Sequence, residues 1–269
     1  MTEPFSLNKN QLLLQRWENH IPGLRAGFTT RTGGTSEPPF HSNNMGLHVN
    51  DSPDAVIANR EELAEQLGFP LSSWVAAEQT HEDQIVKVTA PLAGSGARSF
   101  EDTIKRTDGF YTKEKNLLLT LAFADCVPIY FLNEEKGLIG VAHAGWQGTV
   151  KNISGKMVKL WEEMEGVHPG TVFAAIGPSI DKCCYVVDEK VITALEEVLP
   201  NHKPYEELSP NQYALQLKEA NLHLLINEGV PPENILVSDY CTSCEEELFF
   251  SHRRDQGKTG RMISFIGQK

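Results

Sequence analysis

Residues 117–143 read LLLTLAFADCVPIYFLNEEKGLIGVAH. Three apolar runs of strand length follow one another here: Leu117–Phe123, Val127–Leu132 and Leu138–Ala142, with Asn133–Gly137 as the turn between the last two. Hairpin interruptions of this kind argue against an all-parallel sheet and for mixed strands packed with helices. Cys126 falls between two of the runs and His143 at the exit of the third. Strand ends are where a sheet delivers side chains to a site.

Upstream, Trp74–Ala77 and Gln84–Thr89 read as short strands flanking Gln79-Thr80-His81. Leu24–Thr30 is a strand leading into Arg31-Thr-Gly-Gly34, a turn whose glycines permit positive φ and close ligand approach. The Asn-rich stretch His41–Asp51 is too irregular for a helix or strand. Ser52 caps the next helix and Pro53 opens it; Val56, Leu63 and Leu67 share one face, and Gly68 stops it. Pro91–Arg106, with Gly94-Ser-Gly96 and several charges, reads as a mobile surface loop. Downstream, the spacing of Ile153, Met157, Leu160 and Trp161 predicts a helix over Thr149–Met164. Thr171–Ile176 returns to strand, Asp188–Val198 and Gln212–Glu228 are helical, and Ile235–Ser238 and Met262–Ile266 are closing strands. No repeat or low-complexity linker divides the chain, which predicts one domain over residues 1–269.

The net charge of −12 argues against a phosphate-tracking nucleic-acid surface. The first ten residues lack a basic segment followed by an apolar one, and no apolar run approaches the roughly 20 residues that span a bilayer. Five dispersed cysteines are an odd count. Together these features predict a reduced, cytoplasmic protein without membrane or nucleic-acid partners.

His81, Cys126 and His143 supply two imidazoles and a thiol, the ligand number of a catalytic zinc site that keeps a fourth position open. Each also has an ordinary reading, a strand-end histidine or a buried thiol, and they are too far apart in the chain for a short zinc motif. Cys183, Cys184, Cys241 and Cys244 are read as buried structural residues. Cys241-x-x-Cys244 could be a redox pair or half a zinc site, but adjacent cysteines such as Cys183 and Cys184 rarely share one ion. Dinucleotide, phosphate-loop and zinc nucleobase-deaminase signatures are absent. Nine histidines with no His-x-His pair are too few and too scattered for a multicopper centre.

Gln79-Thr-His81, Ala124-Asp-Cys-Val-Pro128, His143-Ala-Gly-Trp-Gln-Gly148 and Phe250-Ser-His-Arg-Arg-Asp255 with Gly260-Arg261 closely resemble the YfiH/YlmD family. Its members carry laccase-domain or polyphenol oxidase labels and are also described as purine nucleoside phosphorylases. Thr30-Arg-Thr-Gly-Gly34, Asn44-Met-Gly46, Gly177-Pro178 and Cys241-Thr242 extend the match from about Leu24 to the C-terminus. The resemblance implies an α+β fold: a single layered domain of mixed β-sheets flanked by helices, YfiH-like. It implies zinc on His81, Cys126 and His143, with copper as the alternative ion. It further implies phosphorolysis of adenosine and inosine, with methylthioadenosine cleavage and adenosine deamination as associated activities. Two loops depart from the family pattern: Asn43-Asn-Met-Gly46 stands for Leu-Asn-Leu-Gly, and His252 for Tyr.

Phosphorolysis needs a phosphate held near ribose C1′, for which the planar arginine fork is suited; Arg31, Arg253 and Arg254 are the candidates. Asn44 and Gln79 join them as substrate-binding residues, Gln79 alternatively supporting His81. Asp125, Cys126 and His143 are the expected catalytic residues, with Asp125 orienting substrate or relaying a proton. The same residues admit two other readings. One is a thiol hydrolase in which His143 activates Cys126; the other is a non-enzymatic, peptidoglycan-editing factor.

Overall fold

The computed structural model describes residues 3–269. One six-stranded sheet runs, edge to edge, through Ser6–Asn8, Gln11–Leu13, Leu24–Thr29, Met262–Gln268, Leu117–Phe123 and Trp74–Ala76. The second runs through Ile235–Val237, Phe173–Ile176, Val127–Asn133, Leu138–Ala144, Gly109–Thr112 and Ile85–Lys87. Both are mixed. Trp74–Ala76 is parallel to Leu117–Phe123, and Ile85–Lys87 to Gly109–Thr112, while the pairs at the centre of each sheet are antiparallel. A small antiparallel sheet joins Val186–Val187, Gln212–Leu215 and Tyr205–Ser209.

Side-chain alternation explains the layering, since successive strand residues face opposite sides. Leu119, Leu121 and Phe123 pack against Tyr130, Leu132 and Val141 of the other sheet. Leu118, next to Leu119 in sequence and facing the other way, joins Leu63, Leu67 and Trp74 beneath the helix Pro53–Leu67. On the far side, Val127, Ile129 and Phe131 pack on Met157, Trp161 and Leu224 of the helices Ile153–Glu165 and Leu217–Asn227. The order is therefore helix, sheet, sheet, helices, an α+β architecture. Among the described residues no helix is long and apolar enough to cross a membrane.

Four expectations are corrected. Residues 91–106 are pinned rather than free: the buried Arg60 donates from Nη1 to the carbonyls of Gly96 and Ala97 at 2.8 Å, and Ala77 pairs with Ile104. A buried guanidinium needs acceptors, and this segment supplies them. Gln212–Leu215 is a strand, because two partners offer it ladder bonds, and the helix begins only at Leu217. The segment from Thr149 is broken at Asn152, whose left-handed backbone lets its side chain cap Gly155 N at 3.0 Å; Trp146–Val150 is a separate short helix. Ser52 stands at its cap position without a side-chain capping bond, while Gly68, at φ 67°, does end the helix.

The link between the two sheets is Ala124-Asp125-Cys126, the corner by which the chain leaves one sheet and enters the other. Asp125 takes φ 90° there.

Candidate active site

The corner at Asp125 sets Cys126 at the root of Val127–Asn133. The antiparallel neighbour Leu138–Ala144 pairs His143 with Pro128, bringing the imidazole to the same end of the sheet. His81 arrives from the segment after Trp74–Ala76 in a left-handed conformation, φ 59°. One donor atom from each of His81, Cys126 and His143 lies within 4.8 Å of the other two. The imidazole centroids of His81 and His143 are 4.8 Å apart at 77°. Gly145 completes the arrangement: a Cβ there would stand 2.9 Å from Cys126 Sγ and 3.4 Å from His81 Cδ2.

Asp108, which the motif reading passed over, holds two of these residues. Its Oδ1 accepts from His143 Nδ1 at 2.8 Å and from His81 N at 3.1 Å, and its Oδ2 accepts from Thr80 N and Glu82 N. Burial opposes its ionisation, but His143 and these backbone donors keep its carboxyl below the usual range. The Nδ1 contact leaves His143 Nε2 for the centre. Burial opposes charge on Cys126 and His143 as well, yet each stabilises the other. His143 and His81 bring the thiol down to about 6, while Cys126 and Asp108 push the imidazole up to about 9. Two imidazoles and a thiolate are a donor set that could hold a borderline-soft divalent metal such as zinc, and as its ligands they would leave a fourth position open.

These groups open onto a cavity of about 400 Å³, within the range of small-molecule sites. Its wall includes Ala77, Ala122, Ile180 and Leu217, with Phe100, Trp146 and Tyr185 as aromatic surfaces. Burial raises the Tyr185 phenol, with the Cys126 charge adding to it, so it stays a neutral donor.

The arginines expected at phosphate separate into different roles. Arg253 lines the cavity, its guanidinium carbon 4.9 Å from the Tyr185 ring centroid and its Nη1 donating to Val186 O. Arg31 does not line it: its guanidinium binds the carbonyls of His41 and Glu246 and lies over Phe250. Arg254 is likewise spent on Thr242 O, Phe249 O and Asp255. Arg261, part of the motif but not among the arginines expected at phosphate, does reach the wall. Only its Nη1 is engaged among the described residues, by Thr259 O and Gly260 O. Asn44 lies outside the wall and acts on Arg261, accepting from its backbone N at 2.8 Å.

Gln79 faces the cavity, but its amide pairs with both N and O of Ala122, so it serves to seat the His81 segment. Asp125 has its oxygens occupied by Thr242 Oγ1, Ser251 Oγ and Arg253 N. It clamps the corner and the Arg253 loop rather than offering a free base. Thr107-Asp108-Gly109, an acid just before a strand, was the available signal for Asp108; nothing local marked Phe100, Tyr185 or His48, which also lines the cavity.

The profile of the family described as multi-copper polyphenol oxidoreductase laccase matches residues 25–269. The chain belongs to the YlmD/YfiH laccase-domain family. It is 53% identical to purine nucleoside phosphorylase YlmD of Geobacillus stearothermophilus, over 92% of this chain and 91% of that one. It is 48% identical to purine nucleoside phosphorylase YlmD of Bacillus subtilis, over 99% and 98%. The crystal structure of the Geobacillus YlmD superposes with a TM-score of 0.96 at 50% identity, covering 99% of each chain. The laccase-domain family's multi-copper label contrasts with the donor inventory. Among the described residues, only His81 and His143 of the histidines belong to a cluster able to hold a metal.

Proposed function

We propose that this chain is a zinc-dependent purine nucleoside phosphorylase, cleaving adenosine and inosine with phosphate to free base and ribose 1-phosphate. The observation that carries the reading is the meeting of His81, Cys126 and His143 at one cavity bordered by Arg253 and Arg261, in a chain whose relatives bear that enzyme's name. Zinc bound by these three side chains would supply a Lewis acid for an oxygen of substrate or phosphate.

The chain's own residues do the rest. Arg253 and Arg261 hold phosphate so that an oxygen attacks C1′ as the bond to the base nitrogen breaks. Apolar walls exclude water, which would otherwise compete with phosphate as nucleophile. Phe100, Trp146 and Tyr185 offer faces on which a purine stacks. Asp108 keeps the His143 imidazole in one tautomer, and Asp125 fixes the Arg253 backbone. Methylthioadenosine cleavage and adenosine deamination belong to the same site and a cytoplasmic setting.

Incubation of the metal-loaded protein with inosine, with and without phosphate, tests the reaction type. Hypoxanthine should appear only with phosphate, and His81→Ala should lose the metal of this centre and activity together. Full activity in a His81→Ala protein that has lost the metal equivalent of this centre contradicts the assignment. The Cys126–His143 ion pair favours one competing reading, a thiol hydrolase. That reading predicts inactivation by alkylation and indifference to chelators.

A further inference from the structure

Four of the five cysteines lie outside the site just described, and they meet. One donor sulfur from each of Cys183, Cys184, Cys241 and Cys244 lies within 4.8 Å of all the others. Cys183 Sγ is 3.6 Å from Cys241 Sγ and 3.4 Å from Cys244 Sγ, and Cys184 Sγ is also 3.4 Å from Cys244 Sγ. We propose that these four thiols form a second, structural metal site of the tetrathiolate class, filled by zinc.

The geometry favours a shared centre over two disulfides. A tetrahedron with zinc–sulfur bonds of about 2.3 Å has sulfur–sulfur edges of roughly 3.8 Å, close to the separations present. A disulfide pairs each sulfur with a single partner at about 2.05 Å. Here Cys244 is equidistant from two sulfurs, and Cys183 approaches two others. Exposure corrects the expectation of buried, inert thiols: Cys241 is buried, but Cys183 and Cys244 are exposed and Cys184 is partly so.

The backbone is shaped for convergence. A turn bonds Cys184 N to Asp181 O, and the Cys-x-x-Cys segment closes with Cys244 N and Glu245 N both donating to Cys241 O. That turn aims the two neighbours Cys183 and Cys184 at one point. The loops are zipped by the Ser179–Cys241 bridge and by Thr242 N to Ser179 O. Buried Lys218 ties the same pair, binding Asp181 at 2.7 Å and the carbonyls of Ser238 and Tyr240.

The position gives the site its role. One loop carries Ile180 and Tyr185 to the cavity. The other carries Thr242, whose hydroxyl holds Asp125, and the carbonyls that hold Arg254. A metal clamping both would brace that wall.

The test is metal analysis of the full-length protein, with cobalt substitution as a spectroscopic readout. The wild type should bind about two metal equivalents, and His81→Ala about one, retaining the intense thiolate-to-cobalt charge transfer of a four-sulfur site. Cys184→Ser should lose that signature and one equivalent while keeping the other. The four thiols should react with a disulfide reagent at least tenfold more slowly before chelation than after. A wild type with one equivalent that disappears in His81→Ala would overturn the proposal, as would two disulfides found by mass spectrometry in anaerobically purified protein. The His81→Ala comparison separates failure here from failure of the phosphorylase reading.

Discussion

Asp108 and His143 are both buried, with Oδ1 and Nδ1 2.8 Å apart, and the same carboxylate accepts from the backbone N–H groups of Thr80, His81 and Glu82. A single side chain therefore sets the orientation of His143 and the path of the His81 segment. His81 comes from the segment linking the two sheets and His143 from a strand of the second, so one acid between them couples their positions.

Asp108→Asn is expected to break that coupling. An amide must turn its NH₂ toward backbone donors that need acceptors, at a cost of about 1–3 kcal/mol. Zinc affinity should fall by roughly 10–100-fold. Competition with a chromophoric chelator measures it; affinity equal to the wild type would show that Asp108 has no part in the centre.

Gly145→Ala tests the space around the ligands. Gly145 has φ −69°, an ordinary backbone conformation, so the effect is steric. The added methyl would press on Cys126 Sγ at 2.9 Å, and zinc binding should weaken by about 1–3 kcal/mol while far-ultraviolet circular dichroism is unchanged. Undiminished metal content under a limiting chelator would count against the assignment of these ligands.

The metal-free protein should show an unusual pH dependence. As pH rises, Cys126 ionises near 6 and His143 keeps its proton to about 9, so between these values the pair is thiolate and imidazolium. Metal capture in that window must expel the His143 proton, and affinity should climb about tenfold per pH unit, levelling above 9. Below 6 the thiol must lose its proton too, and the slope should steepen. Calorimetry in buffers of different ionisation enthalpy reads the proton count; a flat profile from 6 to 9 refutes the ion pair.

Arg253→Ala and Arg261→Ala should each raise the KM for phosphate roughly ten- to a hundredfold, the range of one lost charge-assisted hydrogen bond, with little change in KM for inosine. Arg31→Ala should leave the phosphate KM near wild type, because its guanidinium is committed to His41 and Glu246. The opposite ranking would move the phosphate subsite to the Arg31 turn.

Long apolar runs were legible because strand periodicity is local. Leu117–Phe123 is a strand over the residues that its pattern predicts, and the neighbouring runs differ only at their ends. Gln212–Leu215 was not legible, since its strand state depends on partners remote in the chain. Cys183 and Cys184 misled for a related reason. A general tendency of adjacent side chains to diverge was overridden by a turn that another loop stabilises.

By itself, the sequence determined the apolar runs, the residue types available for metal and phosphate, and the shortage of imidazoles for a multicopper centre. Only the tertiary structure decided that Asp108 and Arg261 join His81, Cys126 and His143, that Arg31 and Arg254 do not reach the cavity wall, and that four cysteines converge. Local pattern follows from covalent spacing along a strand or helix. A site gathers its groups by packing and hydrogen bonding between segments that no local period connects.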